Sequence, residues 1–323
     1  MGSIRQLDFP RELSLFQDLL TRGYAHPEHP EWDDPAELES LSDKVTSVRR
    51  IWPVLGPFFP NADRMFAALA WEEDGVPVGA ISVLNRTGSS PAWIIASALV
   101  LPEYRGRGIG QKLSMAAINQ LREWGACYAL ATVIAENTPV IRISEAAGAV
   151  RYSSYSALIY DPQTAPPACE ASPGYTLERV RDRRTLFELE RQLVPQTVQI
   201  FEPVQLADFK PNPLIRVGIG LSVRLSGHHE YERLIVHRGE PVGYIWVKQR
   251  VRPGGLHRLT LRLQREHAQA AAGLLADTVC ALDTTHKVAM DLPHWTELLP
   301  AARQAGFVHR TDFLHYGLEF PSC

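Results

Sequence analysis

Cysteine is scarce in this chain and long apolar runs are absent, which excludes two classes of protein. The 323 residues include four cysteines, and no two of them are close enough in sequence to form a metal knuckle. Four thiols in so long a chain indicate reduced cysteines rather than a disulfide framework. The longest apolar run, at 92–101, is about half the length that crosses a bilayer. The sequence therefore predicts neither a disulfide scaffold nor a membrane protein.

An excess of positive charge is also missing. Lysine and arginine total 33 against 36 aspartates and glutamates, and the formal net charge is −3. Because nucleic-acid binding requires a basic surface, this balance predicts no nucleic-acid partner. The N-terminus has no basic region followed by an apolar core, so no signal peptide is expected and the predicted location is cytoplasmic. A hydrophobic content of 45% and a charged content of 21% are typical of a globular protein.

A proline-rich segment divides the chain almost in half. Residues 161–174 carry four prolines among small residues and show no apolar period. Such a composition is typical of a linker. The predicted domains are therefore residues 1–160 and 175–323.

The two halves resemble each other. EDGVPVGAISV at 73–83 matches HRGEPVGYIWV at 237–247, and SEAAGAVRY at 144–152 matches ARQAGFVHR at 302–310. Two ordered matches at nearly the same offset indicate a duplicated domain. Within each half, helical patterns alternate with strands that form an antiparallel meander. The predicted fold class is α+β, with two tandem domains that each contain a mixed, mostly antiparallel sheet flanked by helices.

A glycine-rich stretch, LVLPEYRGRGIGQKL at 99–113, follows an apolar strand and precedes an amphipathic helix pattern. It fails the P-loop pattern, because the Gly-Gln-Lys that starts at Gly110 is followed by leucine. It fails the dinucleotide fingerprint, because the third glycine would stand where Gln111 is. Two alternatives remain. One is a helix cap with exposed arginines, and the other is a cradle whose amides hold a diphosphate, with Arg105 and Arg107 as countercharge.

The segment VLPEYRGRGIG, which ends at Gly110, resembles motif A of the GNAT superfamily of N-acetyltransferases. The signature of that motif, Gln/Arg-x-x-Gly-x-Gly/Ala, is met by Arg105, Gly108 and Gly110. Asn137, in AENTPVIRISEAAG, is similar to the asparagine that the family places after the next strand to contact coenzyme A. The order of predicted elements resembles that fold throughout residues 1–160.

The resemblance implies acetyl-CoA as the co-substrate and no metal. Loop amides would hold its pyrophosphate, and the backbone of the preceding strand would pair with its pantetheine arm like an added strand. In this family an amide at a bulge in that strand polarises the thioester carbonyl, and the candidates here are the amides of Leu99 and Val100. The implied cofactor-binding residues are Ala98, Leu99, Val100, Arg105, Gly106, Arg107, Gly108, Ile109, Gly110, Gln111 and Asn137.

The resemblance leaves the acid and base of the reaction open. Many members carry a tyrosine proton donor where this chain has Ser144, whose hydroxyl is far less acidic. Some members carry a glutamate base where this chain has Thr132. Glu136 is the nearest carboxylate in sequence, Tyr152 and Tyr155 are alternative sources of a phenol, and ordered water is a further alternative. Each of these residues also has an ordinary structural role as its alternative.

Residues 23–40 fall where the family usually builds its acceptor pocket. This segment contains His26, Glu28, His29 and Trp32, and carboxylates beside an aromatic ring favour a cationic amine. A solvated, acid-rich helix start is the alternative. The resemblance therefore implies transfer of acetyl from acetyl-CoA to a primary amine of a small molecule or peptide. A non-catalytic acyl-CoA sensor is the alternative function.

The glycine turn is missing from the second half. In the equivalent segment, 263–275, alanine Cβ atoms would crowd a bound diphosphate. The second half is therefore predicted to be a degenerate copy that binds no coenzyme A. Such a copy would cover the first domain as a partner subunit does, so the chain is expected to be a monomer that forms an internal pseudo-dimer, or a homodimer.

Overall fold

The computed structural model describes residues 2–9, 11–23, 66–85, 91–164, 172–210, 227–282 and 285–321. The chain divides into two compact units. The first comprises Met1–Tyr152 and Leu314–Cys323, and the second comprises Ser153–Phe313. Asp34, followed by Pro35 and by Glu37, predicts a helix start, and these residues lie outside the described part of the chain.

The first unit is a sheet with helices on it. Its elements are β1 (Ser3–Gln6), α1 (Leu13–Gly23), β2 (Phe66–Glu73), β3 (Val76–Leu84), β4 (Ala92–Val100), α2 (Ile109–Glu123), β5 (Tyr128–Ile134), α3 (Thr138–Ala146) and the start of β6 (Val150–Tyr160). The strands lie in the order β1-β2-β3-β4-β5, antiparallel except for the parallel pair β4–β5.

Apolar side chains at helical spacing attach α2 to this sheet. Leu113, Ala117 and Leu121 recur every four residues and are each at most 1% exposed, so they form one apolar face. They share a core with residues of α1, β2, β3 and β4. Burial of a leucine side chain contributes about 1.5–3 kcal/mol relative to exposure. This packing fixes the start of α2 beside the end of β4.

The second unit repeats this plan. Its elements are β7 (Tyr175–Arg179), α4 (Arg183–Leu193), α5 (Gln196–Gln199), α6 (Leu206–Phe209), β8 (His228–His237), β9 (Glu240–Arg250), β10 (His257–Leu263), α7 (Ala271–Cys280), β11 (Val288–Pro293), α8 (Leu299–Gln304) and the start of β12 (Val308–Glu319), with most of β6. The strand order is β6-β11-β10-β9-β8-β7, with β10–β11 parallel. The predicted mixed, mostly antiparallel fold is confirmed.

The duplication is visible in the strand pairing. Gly79 lies opposite Val100, and Gly243, 164 positions later, lies opposite Leu263. A Cβ atom on either glycine would meet the backbone of the next strand, at 3.1 Å for Gly79 and 2.3 Å for Gly243. The Pro-Val-Gly match found in the sequence therefore marks a position where two backbones approach closely.

The end of the chain belongs to the first unit. Residues 314–323 are part of that unit, and β12 lies next to β5 in the sheet. The Phe320 amide donates a hydrogen bond to the Cys127 carbonyl at 2.9 Å. The predicted division at 161–174 therefore differs from the compact units, because strand pairing over such a sequence distance leaves no local signal.

The cysteines differ from the prediction of reduced thiols. Cys127 and Cys280 are both disulfide-bonded, and no free cysteine occurs among the described residues. The expectation was wrong for these two residues, because it rested on spacing along the sequence rather than in space. None of the described helices is long and apolar enough to cross a membrane.

Candidate functional site

An opening in the first sheet lies between β4 and β5. The two strands pair in parallel over four residues, from Ala92 opposite Tyr128 to Ile95 opposite Ala131. β4 then continues to Val100, paired with β3 but no longer with β5. One edge of the β4 backbone therefore faces this opening, which we call the β4–β5 split.

A bulge in β4 lies at the start of the split. Ser97 is opposite Ser82 and Ile95 is opposite Val83, so Ala96 is an extra residue on β4. The resemblance placed the bulge near Leu99 and Val100. The structure places it several residues earlier, and a bulge position carries no signature in the sequence.

The backbone of β4 alternates between β3 and the split. The Leu101 amide donates to the Val78 carbonyl of β3 at 2.9 Å. In an antiparallel ladder alternate residues bond to the same neighbour, so Leu99 also bonds towards β3 while Ala98 and Val100 face the split. Of the two amides predicted to polarise the thioester carbonyl, that of Leu99 is directed to β3 and that of Val100 faces the split.

Two glycines shape the loop that follows β4. Gly106 has φ 76° and Gly108 has φ 74°, the left-handed region that favours glycine. A Cβ atom on either would meet no heavy atom within 4 Å. The sequence prediction attributed these glycines to the approach of a diphosphate to the loop amides, and the structure adds that their backbone conformation itself favours glycine.

The first turn of α2 presents open amides. Gly108 is the N-cap residue and has no side chain that could cap the helix. The first helical hydrogen bond runs from the Lys112 amide to the Gly108 carbonyl at 3.1 Å. The amides of Ile109, Gly110 and Gln111 therefore have no partner within the helix. Together with the positive end of the helix dipole, they form a site for an anion such as a phosphate group.

Both arginines of the motif brace the loop. Arg105 donates to the Val100 carbonyl at 3.1 Å and to the Gly23 carbonyl at 2.9 Å. Arg107 donates to the Glu103 carbonyl at 3.1 Å and lies 3.5 Å from the Glu73 carboxylate. These bonds hold the glycine loop against α1 and β2, so the arginines have a structural role that the sequence did not reveal.

Asn137 and Glu136 precede α3. The Asn137 side-chain oxygen accepts a hydrogen bond from the Val140 amide at 3.3 Å, which caps the helix. This bond leaves the side-chain NH₂ group available as a donor. The Glu136 carbonyl accepts a hydrogen bond from the Thr138 amide at 2.8 Å. The predicted coenzyme A contact of Asn137 stays a prediction.

Ser144 is engaged within its own helix. Its hydroxyl donates to the Val140 carbonyl at 3.0 Å, the bond that a mid-helix serine makes to the preceding turn. Thr132, at the family's glutamate position, is exposed on β5. Neither residue supplies a titratable group near the split, so these two family positions provide neither an acid nor a base in this chain.

The last strand brings residues to this unit that the sequence analysis missed. The Tyr152 ring lies 5.6 Å from the His315 ring, centroid to centroid. The Tyr316 hydroxyl donates to the Glu145 carboxylate at 3.2 Å, and burial together with this bond raises the pKa of Tyr316. No local pattern marks these residues, because β12 is separated from its neighbours by most of the second unit.

Not every predicted residue joins this site. Tyr155 stacks on Phe313, with ring centroids 4.9 Å apart, within the second unit. The predicted acceptor residues all lie outside the described part of the chain: His26, Glu28, His29 and Trp32. The described residues contain no group of three His, Cys, Asp or Glu side chains arranged to hold a metal ion.

The equivalent place in the second unit is built differently. The Gln264 amide donates to the Val242 carbonyl at 2.9 Å, as Leu101 does to Val78. A 3₁₀ helix over Arg265–Ala270 then leads directly into α7, whose first amide, that of Ala271, donates to the Ala268 carbonyl. Here the helix start already has a backbone partner, and right-handed residues replace the left-handed glycine.

Large side chains lie beside the split of the second unit. β10 and β11 pair over three residues, up to Leu259 opposite Met290. Arg262 then lies 3.3 Å from the Glu190 carboxylate, and its guanidinium is 5.4 Å from the Trp295 ring centroid. Trp295 is 158 positions after Asn137, the offset that also separates Gly148 from Gly306. The described geometry thus favours the first unit as the anion site.

Comparison with known proteins agrees with this geometry. The acetyltransferase (GNAT) family profile matches residues 21–149. Among solved structures, the chain is similar to a tandem GNAT protein from the clavulanic acid biosynthesis pathway, with 17% identity over 99% of this chain and 98% of that one and a TM-score of 0.62. A GCN5-related N-acetyltransferase from Sphaerobacter thermophilus matches with 16% identity, 98% and 95% coverage and a TM-score of 0.63. A search of curated proteins found no match.

Residues 21–149 are a GNAT acetyltransferase domain, and the whole chain has the tandem GNAT fold. The first unit therefore carries a GNAT acetyltransferase domain, and the predicted family and enzyme class are confirmed for that domain. Members of this family use acetyl-CoA as the donor. The described residues fit that donor, because the first turn of α2 offers open amides to a diphosphate and β4 offers an unpaired edge to the pantetheine arm.

Proposed function

We propose that the first unit transfers acetyl from acetyl-CoA to a primary amine of a small molecule or peptide, and that the second unit binds no coenzyme A. One observation carries this proposal. The helix that follows β4 begins with open amides behind a left-handed glycine, whereas the helix that follows β10 begins with a paired amide. Only an open helix start can accept a diphosphate.

The backbone would supply most of the donor site. The amides of Ile109, Gly110 and Gln111 would bind the diphosphate, and the Ala98 backbone would pair with the pantetheine arm as an added strand does. An amide that faces the split, from Ala98 or Val100, would stabilise the negative charge that develops on the carbonyl oxygen. Acetyl-CoA supplies the activated acetyl group. Because these donors are backbone groups, side-chain changes leave them in place.

The nature of the acceptor rests on the sequence. The acid-rich segment at 23–40, with His26, Glu28, His29 and Trp32, favours a cationic amine. The cytoplasmic location and the pseudo-dimeric monomer also stay predictions. Disulfides at Cys127 and Cys280 are more typical of oxidising compartments, so they argue against the predicted location.

A non-catalytic acyl-CoA sensor is the second candidate. It is favoured by the residues Ser144 and Thr132, which stand where other family members carry the acid and the base. The Ser144 hydroxyl is bonded to the Val140 carbonyl, and Thr132 does not titrate. A protein that had lost its proton-transfer groups would still bind the donor.

Thiol release separates the two candidates. Purified protein is mixed with acetyl-CoA and a panel of small-molecule and peptide amines, and free CoA is measured with a thiol reagent. Calorimetry on the same sample measures CoA affinity. Amine-dependent release supports the transferase, and tight binding without release on any amine supports the sensor.

A further inference from the structure

The missing base of the first unit has a candidate on the last strand of the chain. We propose that His315 is the proton acceptor for the amine that attacks the acetyl group. The inference rests on the transferase function proposed above and names a residue that the family positions do not supply.

The face follows from alternation along β12. The Tyr316 hydroxyl bonds to Glu145 of α3, and the Leu318 side chain lies 3.8 Å from a Cβ placed on Gly148, just after α3. Both side chains therefore point towards α3. Since neighbouring residues of a strand point to opposite faces, His315 points to the face away from α3.

The anion site lies on the other face. A Cβ on Gly110 would be 3.9 Å from Ile143 of α3 and 3.9 Å from the Val100 side chain. The start of α2 and α3 therefore share one face of the sheet, where the diphosphate would bind. The two helices and the donor would cover that face, so we expect an amine to reach the split from the opposite face, the one that carries His315.

The position along the sheet follows from one hydrogen bond. The Phe320 amide bonds to the Cys127 carbonyl. β12 ends just before Phe320 and β5 begins just after Cys127, so the two neighbouring strands overlap only if they are antiparallel. Counted back from this pair, His315 is opposite Thr132, with Cβ atoms about 4.5–5.5 Å apart in such pairs.

Thr132 marks the point where the split opens. Ala131 is the last β5 residue paired with β4, and the β4 bulge at Ala96 lies at the same level. A donor bound along β4 from the helix start would bring its far, reactive end to this level. His315 thus lies one strand away from the end of the split, next to the position where other family members carry a glutamate.

Tyr152 supports the imidazole from the neighbouring strand β6. The two rings are inclined at 52° with centroids 5.6 Å apart, and both side chains are half-buried. Tyr152 was a sequence candidate for the missing phenol. The contact assigns it instead to positioning His315, while Thr132, across β5, contributes no charge.

The proton then has a defined destination. A cationic amine first loses one proton to water. The neutral nitrogen then bonds to the acetyl carbon, the carbon–sulfur bond breaks, and the second proton lost by the nitrogen goes to a ring nitrogen of His315. The thiolate that leaves takes its proton from water. A positioned base of this kind contributes about 10²–10⁴-fold to the rate.

His315→Gln tests the assignment, because glutamine keeps a polar side chain but cannot accept a proton as an imidazole ring does. We expect kcat for an active amine to fall about 100-fold or more, with the CoA dissociation constant from calorimetry and the melting temperature unchanged. The pH dependence of kcat should also differ from that of the wild type. His309→Gln, the same change earlier on β12, is the matched control and should keep wild-type kcat.

A second readout does not depend on turnover. The imidazole C2–H signal that is missing from the His315→Gln spectrum should shift when amine is added to the CoA-bound protein. An unchanged signal, or unchanged kcat and pH profile in the variant of an active protein, overturns the role of His315 alone. If the wild-type protein binds CoA but releases none with any amine, the proposed function fails and this role fails with it.

Discussion

The two halves of the chain share their strand pairing and differ at one helix start. In each half a glycine approaches the backbone of the next strand, and in each a parallel pair of strands separates after a few residues. After β4 the chain turns through left-handed Gly106 and Gly108 into α2, whereas after β10 it winds through a 3₁₀ helix into α7. On the proposed function, a duplicated fold loses a ligand site through a few residues without losing its architecture.

The largest effect is expected from a charge in the first helix start. Gly108→Glu should weaken CoA binding by about 100-fold or more, because a carboxylate beside the diphosphate adds like-charge repulsion. Gly239→Glu is the matched control, since Gly239 also has positive φ (83°) and open space around its Cβ position. Calorimetry measures both affinities. Equal loss in the two variants would attribute the effect to backbone strain and remove residues 105–111 from the site.

Replacing Gly79 and Gly243, the glycines of the Pro-Val-Gly repeat, should lower the free energy of unfolding by different amounts. Gly243→Ala places a Cβ 2.3 Å from the Arg262 carbonyl, so it should lower the free energy of unfolding by about 1–3 kcal/mol. Gly79→Ala places its Cβ 3.1 Å from the Leu99 carbonyl and should cost less. Denaturant unfolding monitored by hydrogen exchange in each unit measures the two effects. A larger loss of unfolding free energy in Gly79→Ala than in Gly243→Ala would contradict the closer backbone approach at Gly243.

Two substitutions of Asn137 separate its role as a helix cap from its predicted contact with coenzyme A. Asn137→Ala should lower stability by about 0.5–2 kcal/mol through loss of the helix cap. Asn137→Ser keeps a capping oxygen but lacks the NH₂ donor, so stability should be retained while CoA affinity falls about 2–10-fold, the range of one hydrogen bond. Melting curves and calorimetry on both variants give the answer. If Asn137→Ser bound CoA with wild-type affinity, the role of Asn137 would be limited to capping the helix.

The smallest effect concerns a polar cluster in the second unit. Burial raises the pKa of Asp312, but hydrogen bonds from Ser156 and His309 outweigh it, and the net pKa is lowered. A lowered pKa in the folded state means that the stabilisation is present above the unfolded pKa of about 3.9 and is lost as pH falls below it.

Asp312→Asn should therefore flatten the fall in melting temperature between about pH 5 and 3. Asp277→Asn, the same change in α7, should keep the wild-type slope. If the slope in Asp312→Asn matched the wild type, the cluster would not contribute to acid sensitivity.

Local signals allowed the sequence to predict the helix start. The glycines at 106, 108 and 110 stand out in the sequence, and left-handed conformations require two of them, Gly106 and Gly108. The Pro-Val-Gly repeat stands out because a close backbone approach requires a residue without Cβ. The fold class followed from alternating helix and strand patterns. These features depend on the residue itself or on its neighbours along the chain.

Features that depend on distant contacts were missed. The bulge at Ala96, the bonds that tie Arg105 to the Gly23 and Val100 carbonyls, and the meeting of Tyr152 with His315 have no local signature. The disulfides at Cys127 and Cys280 were missed for the same reason. Because β12 returns to the first unit at the end of the chain, no reading confined to residues 1–160 could include His315.

The stoichiometry of coenzyme A binding tests the difference between the two halves most directly. Purified full-length protein is titrated with acetyl-CoA in a calorimeter, with Gly108→Glu titrated alongside. The account predicts one site per chain in the wild type and none in the variant, because the amides of Ile109, Gly110 and Gln111 are open while the Ala271 amide is paired. Two sites per chain, or one site that survives Gly108→Glu, would contradict it.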